Sequence, residues 1–502
     1  MQCSDSSRAS GARHSLVCVA ISIVLTACAV GPDFHAPAPP PTEHYTPGPQ
    51  PQVTVDAPGA AGKAQTFVTD RDIPADWWTL FQSESLDGLV RAALRDSPTV
   101  ESAKAALRSA QESYNAQWGA LLVPAVDGSL SGTREKVPGA AFGAPSLGAS
   151  EFTLISATVN VSYRLDVFGA SRRQLEALRA QSSFQQWELE AANLSLTGNV
   201  VTTAINVASL RAQIAAVIDI VESEQEQLNV VQRQFAAGGA SRADVLLQSS
   251  QLAQTQATLP PLEKALAQAQ HRLAVLSGKT PDTETPAFEM EGLTLPTELP
   301  VSVPANLIRQ RPDVQAAEAI LHQASAQVGV ATANMYPQLN LSGSIGSDAL
   351  SAGTLFGSGT GTWTAGASLL QPLFHGGELR AKRRGALADL DNAAAQYRQT
   401  VLTAMQDVAD TLRALEADAR NLRAQAVAES LASDSLEITK KQFTAGGVSH
   451  VALLIAERQY AQARLSRVQA EAARYADSAA LYQALGGGWW NRKGQEDKVN
   501  KQ

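Results

Sequence analysis

The feature that most constrains this chain is a proline-free stretch of apolar heptads between about residues 376 and 445. Its apolar positions alternate in steps of three and four residues, at Met405, Val408, Leu412, Leu415, Ala419, Leu422 and Ala426. This spacing is typical of a coiled-coil seam. About seventy helical residues at 1.5 Å each reach roughly 100 Å, which is wider than an ordinary compact domain. The rest of the chain must therefore be arranged along a rod.

Composition narrows the class of protein. Of the 502 residues, 44% are hydrophobic but only 5% are aromatic, a balance that favours long helices over aromatic-rich cores. The net charge is −8 and no basic block is present, so we expect no nucleic-acid partner.

The N-terminus has the pattern of a secretion signal, which we assign to residues 1–27. Arg8 and Arg13 precede an apolar run, residues 16–27, that is too short to span a bilayer as a mature helix. After the signal, we find no apolar run long enough for a transmembrane helix. Any passage of the mature chain through a membrane would therefore use β-strands.

The end of this signal resembles a bacterial lipobox. Its residues are Leu25-Thr26-Ala27-Cys28, which predicts cleavage before Cys28 and lipidation of that cysteine. Ordinary secretory cleavage beside an incidental cysteine is the alternative. By the sorting rule of such lipoproteins, Ala29 in place of an aspartate favours the outer membrane. We interpret residues 28–70, rich in proline and glycine, as a lipidated tether.

The remainder of the chain is a duplication. Residues 71–280 and 311–488 each follow the order helix, strand, strand, long helix, helix, with a linker at 281–310 and a tail at 489–502. Pro312 corresponds to Pro98, 214 positions earlier. The tips that follow the long helices, Gln234-Phe235-Ala236-Ala237-Gly238-Gly239-Ala240-Ser241 and Gln442-Phe443-Thr444-Ala445-Gly446-Gly447-Val448-Ser449, match at a spacing of 208.

The helices that return from the tips are predicted at about 241–276 and 449–485. Pro260 and Pro261 must kink or break the first of them, because both lack a backbone donor.

The predicted strands alternate apolar and polar residues. The clearest has Ile155, Ala157, Val159, Val161 and Tyr163 between polar neighbours. Such alternation fits a membrane barrel that faces lipid outside and water inside. A soluble sheet with one wet face shows the same alternation. Four strands per chain cannot close a barrel, so a membrane sheet would need strands from other copies.

Several motifs together resemble the TolC-like outer-membrane efflux proteins, in the lipoprotein branch that works with RND-type pumps. The motifs are Cys28-Ala29-Val30-Gly31-Pro32-Asp33-Phe34, Trp77-Trp78, Arg309-Gln310-Arg311-Pro312-Asp313-Val314, both Phe-x-Ala-Gly-Gly tips, and Ala484-Leu485-Gly486-Gly487-Gly488-Trp489. The resemblance implies an α+β membrane protein. It would be a homotrimer with a 12-stranded β-barrel, four strands per chain, continued by a long α-helical barrel with an equatorial domain.

The same resemblance implies a function. The protein would be the outer-membrane channel of a tripartite efflux system, exporting small molecules passively from an inner-membrane RND-type pump and a periplasmic adaptor. Its helical barrel would lie in the periplasm and its anchor in outer-membrane lipid. The adaptor would dock at the hairpin tips, at Phe235, Gly238, Gly239, Phe443, Gly446 and Gly447.

One position departs from the family pattern. Family members constrict the periplasmic mouth with a leucine and, one turn later, an aspartate. The matching residues are Val451 and Ile455, with Arg458 retained downstream. We therefore expect an apolar constriction that excludes water by narrowness and weak wetting. The alternative is that Ile455 packs within its helix pair.

Two other classes of protein were weighed. An enzyme is disfavoured, because the histidines lack metal-ligand spacing and no phosphate loop or nucleophile motif occurs. We expect no catalytic residue, no metal and no cofactor, and each histidine to be a surface or helix residue. A periplasmic adaptor would have one coiled-coil hairpin between β-rich halves, whereas this sequence predicts two hairpins.

Overall fold

The computed structural model describes residues 29–42, 44–48, 52–69, 71–143, 146, 148–302 and 304–492. The predicted signal, Cys28 and residues 493–502 of the tail lie outside these residues. The described chain divides into two compact units. The first comprises residues 29–37, 106–185 and 317–397, and the second comprises 38–105, 186–316 and 398–492.

Helices account for most of the elements. Their bounds are α1 Glu84–Asp96, α2 Pro98–Leu122, α3 Ala170–Ala236, α4 Arg242–Gln256, α5 Leu259–Leu276, α6 Pro304–Gln310, α7 Pro312–Ala333, α8 Glu378–Thr444 and α9 His450–Ala484. The two predicted rods, α3 and α8, are each continuous over 67 residues. The expected length of the rod at about 376–445 is confirmed, because no proline interrupts α8.

The heptad seam of α8 is a buried stripe within the second unit. Val408, Leu415, Ala419 and Leu422 are each fully buried. Side chains at alternating steps of three and four share one helix face, so a single stripe supplies the packing surface. Alanine in this stripe lets a neighbouring helix approach closely.

The proline pair divides the helix that returns from the first tip, as expected. Helix α4 ends at Gln256 and α5 begins at Leu259. Pro260 and Pro261 then occupy the first turn of α5, where no intrahelical donor is required. The interruption therefore precedes the prolines.

The first unit contains an antiparallel four-stranded sheet in the order β2-β3-β5-β6. The strands are β2 Ala125–Val137, β3 Ser150–Leu165, β5 Gln338–Ala349 and β6 Gly361–Leu370. The loops between the paired strands cover residues 138–149 and 350–360. At the second loop, the Ser347 hydroxyl donates to the Leu355 carbonyl and bonds Thr360 Oγ1 at 2.7 Å, which supports the pairing at the end of β5.

Part of the segments predicted as tether and linker is folded. Strand β1, Thr66–Thr69, pairs in parallel with β4, Glu298–Val301, in the second unit. The fully buried Arg474 guanidinium donates to the Ala61 carbonyl at 2.9 Å and to Gln65 Oε1 at 2.8 Å. A buried guanidinium must be hydrogen-bonded, so it fixes this segment against α9.

We expected no helix after the signal to be long and apolar enough to cross a membrane, and by these two criteria the expectation is wrong. Helix α3 contains an 18-residue window apolar enough to cross a membrane, and half of that window is buried inside the protein. The core helix of a soluble protein meets the same criteria, so this window alone is weak support for a span.

Two of the sequence motifs contact each other in the second unit. The Trp489 indole Nε1 donates to the Gln310 carbonyl at 2.7 Å, and Arg311 Nη1 donates to the Ala484 carbonyl at 3.1 Å. Gly486 has a φ of +95°, and a Cβ there would lie 2.4 Å from the Gln310 carbonyl oxygen. Only glycine fits this position without moving backbone.

Replacing Gly486 with alanine tests this contact. Positive φ and a backbone clash predict a loss of about 2 kcal/mol or more, so the apparent melting temperature in detergent should fall by several degrees. Gly88 is the matched control, because it is exposed in α1 and a Cβ there meets nothing within 4 Å. Gly88→Ala should leave the melting temperature unchanged or raise it. Equal melting temperatures for both variants would contradict the contact.

Candidate channel wall and hairpin tips

The four-stranded sheet has one apolar and one polar face. Cross-strand pairs keep each face uniform, for example Leu130 opposite Ala157 and Ile345 opposite Trp363. The apolar face is formed by Val126, Leu130, Ile155, Ala157, Val159, Val161, Tyr163, Leu339, Leu341, Ile345, Trp363, Ala365, Ala367 and Leu369. Leu130 and Trp363 are 74% and 76% exposed. Such a contiguous exposed apolar face requires a lipid or protein cover.

The opposite face has a ladder of hydroxyl and amide groups. Ser129 Oγ lies 2.7 Å from Thr158 Oγ1, and Asn160 Nδ2 donates to both at 3.2 Å. Ser344 and Thr364 repeat the contact at 2.8 Å between β5 and β6. These groups retain free hydrogen-bonding capacity for water, so this face suits an aqueous lumen.

Both edges of the sheet lack a partner strand within the described chain. Strand β2 pairs only with β3, and β6 pairs only with β5. Strand β2 offers thirteen residues of edge and β6 offers ten. Exposed edges of this length recruit further strands.

Each hairpin tip is closed by a glycine in the left-handed region. Gly238 and Gly446 have φ values of +77° and +75°. Gly239 N donates to the Gln234 carbonyl at 2.8 Å, and Gly447 N does the same to Gln442. These bonds satisfy the last carbonyls of each long helix, as in a Schellman motif. The helices α4 and α9 then begin after the N-cap serines Ser241 and Ser449, so the repeated tip sequence encodes a repeated turn.

The phenylalanines of the two tips have different surroundings. Phe235 is 47% exposed, whereas Phe443 packs against a cluster of Leu436, Leu453 and Ala456. The first tip therefore exposes an apolar side chain, whereas the phenylalanine ring of the second tip packs inside its own hairpin.

The three residues expected at the constriction lie on one exposed stripe of α9. Val451 and Ile455 are each 50% exposed, and Arg458 is also exposed. Spacings of four and three residues place them on the same helix face. The residues of α9 that pack inside the hairpin are Leu453 and Ala456, not Ile455.

A buried polar cluster near the tips was not anticipated. His450 lies in a helix, as expected of the histidines, and is only 6% exposed, while Glu457 is 4% exposed. Leu453, Glu457 and Tyr460 are spaced by four and three residues. A glutamate at a seam position was therefore the available signal in the sequence. Within the described residues, no three His, Cys, Asp or Glu side chains are grouped to hold a metal ion.

Comparisons with known proteins agree with this architecture. The family model for the outer membrane efflux protein matches residues 89–279 and 303–487, more than half of the chain. The chain is 31% identical to the pyoverdine export outer membrane protein OpmQ of Pseudomonas aeruginosa, covering 82% of this chain and 87% of OpmQ. It is 28% identical to the antibiotic efflux pump outer membrane protein ArpC of Pseudomonas putida, covering 96% and 98%.

A solved structure is similar over nearly the whole chain. The outer-membrane channel OprN matches with a TM-score of 0.82 and 28% identity, covering 92% of this chain and 100% of OprN. The predicted α+β channel fold and the outer-membrane location are thereby confirmed. This chain is an outer-membrane efflux channel protein and belongs to the outer membrane efflux protein family.

Proposed function

We propose that this channel is the exit duct of a tripartite system, in which an RND-type pump in the inner membrane and a periplasmic adaptor deliver small molecules to it. The two-faced sheet with two open edges carries the proposal, because it is one segment of a wall between lipid and water. Transport through it is passive and needs no catalytic group. His322 makes a structural contact instead, with its Nε2 at 2.9 Å from Glu176 Oε1.

The partner of each open edge is a second copy of this chain. The internal repeat supports one way for the copies to pair, because β6 corresponds to β3 and β2 corresponds to β5. Ser368 in β6 lies 206 positions after Ser162 in β3. Pro337, just before β5, lies 213 positions after Pro124, just before β2. Pairing of β3 with β5 inside one chain is therefore the template for pairing β6 with the next copy's β2.

This template fixes a register. Val161 pairs with Gly343 within the chain. Shifting each residue by its repeat spacing places Ala367 of one copy opposite Leu130 of the next. Both residues lie on the apolar face of their strands, so the lipid-facing surface continues across the joint. A register displaced by one residue would set apolar side chains beside polar ones.

A disulfide between copies tests this register. Residues directly opposite in antiparallel strands have Cα atoms about 4.5–5.5 Å apart, within the range of a disulfide. Combining Ala367→Cys with Leu130→Cys should give covalent trimers in oxidised outer membranes, observed on non-reducing gels. Ser368→Cys with Leu130→Cys is the control, because these side chains point to opposite faces and should not cross-link. Cross-linking of the control alone would rule out the register.

We also propose that Cys28 is lipidated and anchors the protein beside this sheet. The residues after it are held in the first unit, where Val30 N donates to the Phe168 carbonyl at 3.2 Å. Asp33 accepts a hydrogen bond from Arg173 at 2.6 Å, and the Phe34 ring stacks on His322 at 4.3 Å. Phe168 follows the end of β3, so these contacts hold the segment next to the strand ends. An acyl chain that starts one residue before Ala29 would be close to lipid there.

Metabolic labelling tests the lipid anchor. Cys28→Ser should abolish incorporation of labelled palmitate, because the acyl chains require the thiol and the new N-terminal amine. Cys18→Ser, within the predicted signal, is the matched control and should label as the wild type does. Palmitate retained in Cys28→Ser would refute the assignment.

The exposed stripe of Val451, Ile455 and Arg458 is proposed as the periplasmic constriction. Half-exposed apolar side chains on α9 support it, since a ring of them in a trimer would disfavour water in a narrow bore. The tips at Phe235, Gly238 and Gly239, and at Phe443, Gly446 and Gly447, are proposed to receive the adaptor. The exposed Phe235 supplies an apolar contact for it.

Ile455→Asp tests the constriction by conductance in planar bilayers. A ring of carboxylates should wet the bore, so the current should rise several-fold and become cation-selective. The repeat supplies a matched control, Leu247→Asp, which lies 208 positions earlier and is 45% exposed. The control should keep the wild-type current. An Ile455→Asp channel with unchanged current and selectivity would remove Ile455 from the constriction.

A further inference from the structure

Four buried polar side chains meet where the two helical hairpins of the second unit come together near their tips. We call Glu224 of α3, Gln248 of α4, and His450 and Glu457 of α9 the tip cluster. Gln248 is 0% exposed, Glu224 1%, Glu457 4% and His450 6%. Glutamate is almost never this buried unless its charge is paired. The question is therefore whether the two buried carboxyl groups are paired or protonated.

Hydrogen bonds through Gln248 join the two hairpins. His450 Nε2 donates to Gln248 Oε1 at 2.9 Å, and Gln248 Nε2 donates to the Glu224 backbone carbonyl at 3.3 Å. A second link runs from Lys440 Nζ of α8 to Ser223 Oγ of α3, at 3.0 Å. Polar contacts through Gln248 and Lys440 thus link the two hairpins.

Glu224 Oε1 accepts a hydrogen bond from Gln251 Nε2 at 3.1 Å, but the other carboxyl oxygens of the cluster are unpaired. Neither oxygen of Glu457 has a hydrogen-bond partner of ordinary geometry, and Oε2 of Glu224 also lacks one. An ionised, unpaired carboxylate in such a site is costly, so the buried group takes up a proton instead. Burial raises the pKa of Glu457 to about 7, and the charge of Glu224 adds to that rise, while Lys440 and Gln248 oppose it. Burial also raises the pKa of Glu224.

Charged groups face the cluster from every helix around it. Glu224 comes from α3, Asp244 from α4, Lys440 from α8 and His450 from α9. Asp244 Oδ1 lies 3.9 Å from His450 Nδ1. Burial lowers the pKa of His450, and Asp244 opposes this effect. His450 is therefore held neutral, with its Nε2 proton committed to Gln248.

We propose that Glu457, together with Glu224, is a proton-binding site that closes the junction between the two hairpins, so that releasing its proton loosens the channel at its tips. The ligand is a single proton exchanged with water on the helical side of the membrane. The cation that faces Glu457, Lys440, is bonded to Ser223 across the junction. An ionised Glu457 would lie beside Glu224, and it would gain a counter-charge by drawing Lys440 away from Ser223, which breaks that link, or gain hydration by separating the hairpins. The proposal rests on the channel function described above.

The direction of the pH effect follows from the raised pKa of Glu457. Protonated Glu457 stabilises the junction fully at acid pH. This stabilisation is lost as the pH rises through about 7. His450 acts in the opposite direction, because its charged form is disfavoured and appears only at more acid pH. Tips closed in mildly acid solution should therefore open in mildly alkaline solution.

The full-length trimer in planar bilayers provides the test. As the pH on the helical side is raised from about 6 to about 8, which spans this range of titration, wild-type conductance should rise several-fold. Glu457→Gln keeps the shape of the protonated group, so it should remain at the low conductance throughout. Glu437→Gln is the matched control, because Glu437 is an exposed carboxyl of α8 that pairs with Lys441, and it should behave as the wild type.

A distance measurement makes the test independent of conduction. Spin labels on Ala237→Cys and Ala445→Cys, exposed at the two tips, report their separation when labelled chains are diluted with unlabelled ones. The separation should increase through about pH 7 in the wild-type background and stay constant with Glu457→Gln. A constant wild-type separation, or the same pH response in Glu457→Gln, would overturn the proton site. If the separation of the tips changes with pH as expected but the protein conducts at no pH, the result would instead count against the channel function.

Discussion

The structure depends on the rule that backbone N–H and C=O groups in lipid must be hydrogen-bonded to protein. Strands β3 and β5 satisfy it within one chain, but β2 and β6 each leave one side open. A soluble sheet could expose such edges to water, whereas a lipid-embedded one cannot. The apolar face of the same sheet places it in lipid, so the open edges and the apolar face together require a closed assembly.

The duplication explains how one gene supplies such a wall. Each repeat contributes two strands and one helical hairpin, and we propose that the contact between repeats inside a chain is the template for the contact between chains. The lipid-facing Val161–Gly343 pair thus predicts the Ala367–Leu130 joint. The tips follow the same logic, since Gly238 and Gly446 close equivalent turns, but their phenylalanines differ. The two copies of one motif therefore have different surroundings, and Glu457 lies where the hairpins meet.

The sequence predicted the elements whose signal is local. The heptad period predicted the long helices α3 and α8. Proline predicted the break before α5, and glycine predicted the tips, each from a signal within a few residues. Strand ends were harder to predict, because the pairing at the end of β5 depends on Ser347 reaching Leu355 and Thr360 across a loop. The folded segment near Gln65 was missed for a similar reason, since Arg474 holds it from more than 400 positions away.

The site was predictable only in part. The stripe of Val451, Ile455 and Arg458 came from a family resemblance, and the apolar and polar faces of the sheet came from alternation. The burial of Glu457 depends on four helices, so its seam position alone could not reveal an unpaired carboxyl. The central claim, that other copies pair the open edges, is tested most directly by amide hydrogen exchange in lipid nanodiscs. We predict that amides of β2 and β6 exchange as slowly as those of β3 and β5, and rapid exchange along β2 and β6 would contradict the account.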